Sequence, residues 1–215
     1  MTTPLADEDK IDGGSVKGRA KVSKLCSLGE FDEALDLARG IKHPWYRCQS
    51  LSSVAGIETI QEKRNDLIVE AFQAALKQES ANRIVTVSAW PLEVLCQNGE
   101  HALAKIEIKR LIEIIQQEPH PTRRADAVFT LIQKTHAYSV DLTKVLLKPF
   151  KGACSEGKGW KIDRDLRDVA QWVAAFDRDE ALKLAEMIFE PRVRRQALRQ
   201  VNRIQPSKDF GKGTQ

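Results

Sequence analysis

An internal repeat constrains the fold of this 215-residue chain more than any other feature. Residues 32–57 align without a gap on residues 179–204, and 13 of the 26 aligned positions are identical. Average residue usage would give about one or two identities over that length. A repeat unit cannot bury its apolar face alone, so it packs on its neighbours. The repeat therefore decides the fold class before any other signal does.

The shared pattern describes two helices joined by a short break. It reads D-E-A-L-x-L-A-x-x-I-x-x-P-x-x-R-x-x-x-L-x-x-V-x-x-I. The acidic start suits the N-terminal end of a helix dipole. Pro44 and Pro191 then open a second helix at its first turn, where the missing N–H group costs nothing. Because the connection is so short, the two helices are expected to be antiparallel.

A recurring arginine follows each break. Arg47 and Arg194 occupy the same place in the two best copies, and Arg83 and Arg124 begin similar apolar stripes in the middle of the chain. We expect Arg47 and Arg194 to bond the free carbonyls, or acidic groups, at the end of a preceding or neighbouring helix in matching geometry. The arginine is therefore interpreted as part of the fold, and a ligand-binding ladder of arginines is the alternative.

Apolar periodicity predicts an all-α chain. The only strand signal, at residues 105–109, lies within a longer helical pattern. Pro91 is expected to kink or split the fifth helix. The predicted helices lie near residues 15–28, 32–42, 44–59, 64–79, 80–97, 99–118, 121–136, 139–148, 161–175, 178–189 and 191–204.

The turn GEFDEA at residues 29–34 resembles the G-x-Y/F-x-x-A step of a tetratricopeptide repeat. The P-x-x-R-x-x-x-L segment is similar to bacterial HEAT-like and tetratricopeptide-like repeats, and the resemblance covers most of residues 16–204. It implies an α-solenoid, a superhelix of about five antiparallel helix hairpins. The irregular spacing and early prolines depart from a true tetratricopeptide array. The expected organisation is one repeat domain over residues 15–205, with flexible segments at 1–14 and 206–215.

Composition and charge favour a cytoplasmic protein without a metal or cofactor. Hydrophobic residues make up 42% of the chain and the formal net charge is +4, which permits an acidic partner without requiring one. The first residues lack the apolar region of a signal peptide, and no apolar run could span a bilayer. The four cysteines form no CxxC pair and no ligand spacing with histidine, so we expect reduced thiols and no zinc site.

Residues 152–159, GACSEGKG, satisfy the glycine and lysine spacing of a phosphate-binding P-loop. Gly159 stands where such a loop needs Ser or Thr for magnesium, and the preceding segment reads as helix rather than strand. We interpret these residues as an irregular connection between helices. Cys154 is then expected to be exposed, with no histidine partner to activate it.

Two groups of residues are candidates for binding a partner. Trp45 and Tyr46 stand where the other copy has arginine and valine, so the fold does not require aromatic residues there. They are expected to anchor a protein partner, unless Trp45 packs under residues 1–14. On the last helix, four arginines three and four residues apart share one face, which either keeps a terminal helix soluble or binds an anionic partner. They are Arg192, Arg195, Arg199 and Arg203.

These observations favour a non-enzymatic scaffold that binds a protein or peptide partner. The alternative is a basic binder of nucleic acid or another polyanion. An all-α hydrolase or lyase is a third alternative, but no carboxylates pair on an apolar face as an acid/base dyad would. Because fold alone does not establish function, the identity of the partner stays open at this point.

Overall fold

A computed structural model describes residues 13–59 and 61–205 of the chain. These residues form eleven α-helices and no strand, so the all-α prediction is confirmed. The helices are α1 Gly13–Leu28, α2 Phe31–Gly40, α3 Pro44–Ala55, α4 Gln61–Ala75, α5 Ala81–Gln97, α6 His101–Ile115, α7 Pro121–Thr135, α8 Val140–Glu156, α9 Trp160–Val173, α10 Arg178–Glu186 and α11 Pro191–Arg203.

Three helices begin at a proline, as the repeat pattern requires. Pro44, Pro121 and Pro191 are the first residues of α3, α7 and α11. A proline at this position fits because its fixed φ suits the helix and its absent N–H has no intrahelical acceptor to lose. The residue before each proline has an extended backbone, as steric contact with the proline ring favours.

The two internal prolines do not end their helices. Pro91 was expected to kink or split the fifth helix; it does not split it, because α5 continues through it to Gln97, and the kink stays a prediction. Likewise α8 continues through Pro149 to Glu156, where a connection was expected. Phe150 is fully buried beside Pro149, and tertiary packing of this kind outweighs the hydrogen bond that proline removes.

The chain divides into two compact units between Gln78 and Glu79. In the first unit, α1, α2 and α3 pack against one another, and α4 packs against α3. Ala34, Ala38 and Leu51 are fully buried at the centre of this group. The small side chains of the two alanines let neighbouring helices approach closely.

In the second unit each odd-numbered helix packs against the next odd-numbered one. Thus α5 contacts α7, α7 contacts α9, and α9 contacts α11. The even-numbered helices pack beside them: α6 against α5 and α8, α8 against α7, and α10 against α9 and α11. Phe150, Leu166 and Leu184 are among the largest fully buried side chains of this unit.

The two copies of the repeat adopt the same local arrangement. Helices α9, α10 and α11 contact one another pairwise, as α1, α2 and α3 do. Ala34 and Ala38 match Ala181 and Ala185, and all four are fully buried. These matched alanines are therefore core positions that the two copies share.

The predicted flexible ends lie mostly outside the described residues. Residues 1–12 and 206–215 are not described, whereas Gly13 and Gly14 open α1. The single repeat domain over residues 15–205 stays a prediction.

Candidate binding face on helix α11

The recurring arginine bonds backbone carbonyls at the same relative positions in two copies. In α7, Arg124 Nη1 donates to the carbonyl oxygens of Glu118 at 2.8 Å and Pro119 at 3.4 Å. In α11, Arg194 donates from Nε to Ile188 at 2.7 Å and from Nη2 to Phe189 at 3.4 Å. In both cases the acceptors lie six and five residues earlier, where the previous helix has ended and its carbonyls lack partners.

Arg64 makes the same kind of bond but was not identified from the sequence. It is the fourth residue of α4, and its Nη2 donates to the carbonyl of Glu58 at 2.6 Å. Arg124 and Arg194 are also the fourth residues of their helices. The signal that could have found Arg64 is therefore its position relative to the helix start, because α4 has no proline to mark that start.

Arg47 departs from this geometry, contrary to the expectation that it matches Arg194. Its guanidinium makes no hydrogen bond to a carbonyl within the described part of the chain. Instead, its charge helps to lower the pKa of Glu70 on α4, a shift that comes first from the hydrogen bond donated by Arg39. Arg39 Nε lies 3.0 Å from Glu70 Oε2. An acidic side chain from a following helix therefore interacts with the arginines of the first copy.

Several hydrogen bonds fix the position of α11. The carboxylate of Asp163, on α9, accepts the backbone N–H of Phe189 at 2.9 Å and that of Glu190 at 3.1 Å. Asp163 is buried, so these two bonds satisfy groups that water does not reach. Arg178 of α10 also donates to Asn202 at 2.7 Å. Both ends of α11 are thus bonded to the helices on which it packs.

Four arginines line an open groove along the other side of α11. The groove has a volume of about 500 Å³, and Gln196 and Gln200 complete its lining. The arginines are exposed, and their side chains form no hydrogen bond or ion pair with any residue that the structure describes. The structure thus brings together all four arginines identified from the sequence: Arg192, Arg195, Arg199 and Arg203.

An unsatisfied acceptor lies in the same groove. The amide oxygen of Gln200 is shielded from solvent and has no hydrogen-bond partner in the described chain. Buried polar atoms in folded proteins usually have a partner.

Two aromatic residues, one that begins α9 and one just before α11, are widely exposed, and sequence reasoning did not identify them. Trp160 is 75% exposed and Phe189 is 71% exposed. Asp163 connects them, since it lies one turn after Trp160 on α9 and accepts the N–H of Phe189. The repeat offered a signal for Phe189, because its counterpart in the first copy is Lys42, a residue typical of the surface. Aromatic residues beside arginines have the composition of interaction hot spots.

The aromatic pair that the sequence suggested as a partner anchor is partly exposed to solvent. Trp45 and Tyr46 lie in the first turn of α3 and both are half-buried. The Tyr46 ring packs on the His43 ring with centroids 5.1 Å apart. Neither full burial nor wide exposure is observed, so their role as a partner anchor stays a prediction.

Cys154 is not exposed, so the expectation of an accessible thiol is wrong. It lies on α8 with 5% exposure, because residues 152–156 continue the helix rather than forming a loop, and Ala153 and Cys154 lie on its buried face. Burial, followed by the charge of Asp165, raises the pKa of its thiol far above the ordinary value. A thiol in this state is a poor nucleophile.

The described residues contain no group of three or more His, Cys, Asp or Glu side chains placed to hold a metal ion. Nor does any helix among them combine the length and apolar character needed to cross a bilayer.

Asp165 is fully buried, and burial raises the pKa of its carboxyl group. Its partner is the neighbouring Arg164, which donates to it at 2.7 Å.

Comparisons of the chain with protein-family models, with curated proteins and with solved structures gave no match.

Proposed function

We propose that this protein is a non-enzymatic helical-repeat scaffold of the α-solenoid type, acting in the cytoplasm. On this proposal it binds a protein or peptide partner on the exposed face of α11. The packing of α5 on α7, α7 on α9 and α9 on α11 supports a repeat stack, because a solenoid places equivalent helices of successive repeats side by side. The free state of all four cysteines is in keeping with a reducing compartment.

The observation that carries the proposal is the groove on α11. Its four arginines keep their charges in solvent without a partner in the described chain. Arginine is enriched at protein interfaces because its planar fork can bind carboxylates with two hydrogen bonds. The exposed side chain of Phe189 adds apolar contact area two residues before the first turn of the same helix.

A second candidate function is binding of nucleic acid or another polyanion, including a membrane surface. The same exposed aromatic residues favour single-stranded nucleic acid, since bases stack on aromatic side chains while arginines contact phosphates. Of these aromatic residues, Phe189 lies beside the arginine row, at one end of it. A binding path for several nucleotides would need them along its length, so the protein partner is favoured.

The proposal can be tested by selecting peptides from a random display library on the full-length protein. Selected peptides should lose binding to the variant Arg195→Glu/Arg199→Glu. They should keep binding to Lys105→Glu/Lys109→Glu, which makes the same charge change at exposed positions four residues apart on α6. Peptides that bind all three proteins equally would reject α11 as the site. A random oligonucleotide that binds with a steep salt dependence, and only to the protein with intact α11, would favour the second function.

A further inference from the structure

We infer that the partner of α11 is an acidic helix, and that it packs on α11 as α4 packs on α3. This inference rests on the proposed function and names the chemistry of the partner. Its first support is the internal repeat, which allows α3 and α11 to be compared position by position. Helix α3 packs on α1 and α2, and α11 packs in the same way on α9 and α10. The described neighbours of α3 include a further helix, α4, for which the described part of the second unit has no counterpart on α11.

The burial of matched residues locates the face that α4 covers. Cys48 is fully buried and Ser52 is 2% exposed. Their counterparts in the second copy are Arg195 and Arg199, and both are exposed. Because the other packing partners correspond, α4 is the element that accounts for the difference. The groove on α11 is therefore the same face that accommodates a helix in the first copy.

The charge of this face determines which helix can bind. A neutral apolar helix would remove the guanidinium groups of the central arginines from water without pairing them, which is unfavourable. A helix with carboxylates at i, i+3, i+4 and i+7 would instead place an acceptor opposite the row of arginines, whose spacing is also helical. The first copy contains a related contact, in which Glu70 of α4 accepts a hydrogen bond from Arg39 of the neighbouring helix α2.

Among the described residues of the second unit, no acidic helix covers the arginines of α11. The two terminal segments are the other candidates within this chain. Residues 206–215, which follow α11, carry two lysines and one aspartate, so their charge does not complement the arginines. Residues 1–12 are acidic, with Asp7, Glu8, Asp9 and Asp12 against Lys10, and they are the competing occupant that the experiment must separate. A partner protein with an acidic helix is the occupant that we propose.

The experiment measures binding of synthetic peptides to the full-length protein by isothermal titration calorimetry. The test peptide has 15 residues, the length of α4, with glutamates at i, i+3, i+4 and i+7 along one helical face and alanines elsewhere. One control peptide has the same charge but contains two central prolines, which prevent a helix. A second replaces every glutamate with lysine. A third probe is oligothymidylate of about 15 nucleotides, which presents phosphates without a helix.

The inference predicts that the glutamate helix binds the native protein at least about tenfold more tightly than the proline-containing peptide. The variant Arg195→Glu/Arg199→Glu should lose that binding and gain affinity for the lysine helix, whereas Lys105→Glu/Lys109→Glu should behave as the native protein. Binding of the lysine helix by the Arg195→Glu/Arg199→Glu variant would show that this variant is folded, so its loss of binding to the glutamate helix would not be due to misfolding. Circular dichroism should confirm equal helix content in the three proteins.

Several results would overturn the inference. Equal binding of the helical and proline-containing peptides would reject a helical partner, and tighter binding of oligothymidylate at α11 would replace the partner with nucleic acid. Tighter peptide binding after Asp7→Asn/Glu8→Gln/Asp9→Asn would identify residues 1–12 as the occupant. A dimer that dissociates in the α11 variant would identify a second copy. If library-selected peptides depend on α11 but are neither acidic nor helical, this inference fails while the proposed function survives.

Discussion

Replacing Arg194 with alanine removes the side chain that bonds the carbonyls at the break between α10 and α11. The variant loses one short bond from a charged donor, at 2.7 Å to Ile188, and one long bond, at 3.4 Å to Phe189. A hydrogen bond to a charged group contributes about 1.5–3 kcal/mol when buried. Because Arg194 is half-buried and water can reach part of the site, we expect a loss of about 1–2 kcal/mol in the free energy of unfolding.

The two copies of the repeat provide a matched control. Arg47 stands at the position equivalent to Arg194, but within the described residues it makes no carbonyl hydrogen bond. Its replacement with alanine removes mainly a charge interaction with Glu70, so we expect a loss below about 1 kcal/mol. Arg194→Lys should recover little of the loss, since lysine keeps the charge but not the planar fork.

The assay is urea unfolding followed by circular dichroism, with native-state hydrogen exchange to assign the effect to a region. Exchange is needed because a chain with two compact units need not unfold in one step. In thermal unfolding, each kcal/mol should lower the melting temperature by about 2–4 °C. Equal losses for Arg47→Ala and Arg194→Ala, or no faster exchange near α11 in the latter, would contradict the role assigned to the carbonyl bonds.

Four further predictions follow from the described contacts. Asp163→Ala leaves two backbone N–H groups before α11 without acceptors and should lower the free energy of unfolding by about 2–4 kcal/mol. Asp163→Asn keeps one acceptor oxygen and should lose less. Equal stability of the native protein and both variants in urea unfolding would refute the assignment. Burial raises the pKa of Asp165 above its ordinary 3.8, so its ionisation opposes folding. Relative to Asp165→Asn, the native chain should be most stable below pH 3.8 and lose that advantage as pH rises through the raised pKa; a pH-independent difference would contradict this. A thiol reagent should modify Cys26 in the native chain and leave Cys154 unmodified until unfolding; equal rates would place Cys154 at the surface. If Trp45 on α3 anchors a partner of its own, Trp45→Ala should abolish capture only of selected peptides that do not depend on α11, with little change in melting temperature; loss of stability instead would assign Trp45 to the core.

The sequence predicted the number of helices because apolar periodicity and proline are local signals. Pro44, Pro121 and Pro191 marked three helix starts correctly. The extension of α8 beyond Pro149 was not predictable in this way, since it depends on the burial of Phe150 by other helices. A local rule that proline ends a helix fails where tertiary packing outweighs one lost hydrogen bond.

The residues of the candidate site could be predicted from the sequence, but the elements that pack around them could not. The arginine spacing on α11 placed the four side chains on one face, and the groove contains all of them. The sequence could not show that the described part of the second unit has no helix covering this face, because that depends on which elements pack together. For the same reason Arg47 and Arg194 looked equivalent in sequence. Yet α3, which carries Arg47, has α4 packed on it, whereas the described part of the second unit has no corresponding helix on α11, which carries Arg194. Exposure of Trp160 likewise follows from packing and not from its helical position.

The central claim, that an acidic helix binds on the arginine face of α11, is tested most directly by NMR of the arginine Nε–H groups. The full-length protein, labelled with ¹⁵N-arginine, would be titrated with the glutamate helix. We predict chemical-shift changes at Arg192, Arg195, Arg199 and Arg203, with the largest at Arg195 and Arg199. The signals of Arg124 and Arg194 should remain unchanged, because these side chains bond carbonyls within the fold. Changes confined to other arginines, or no change at saturating peptide, would contradict the claim.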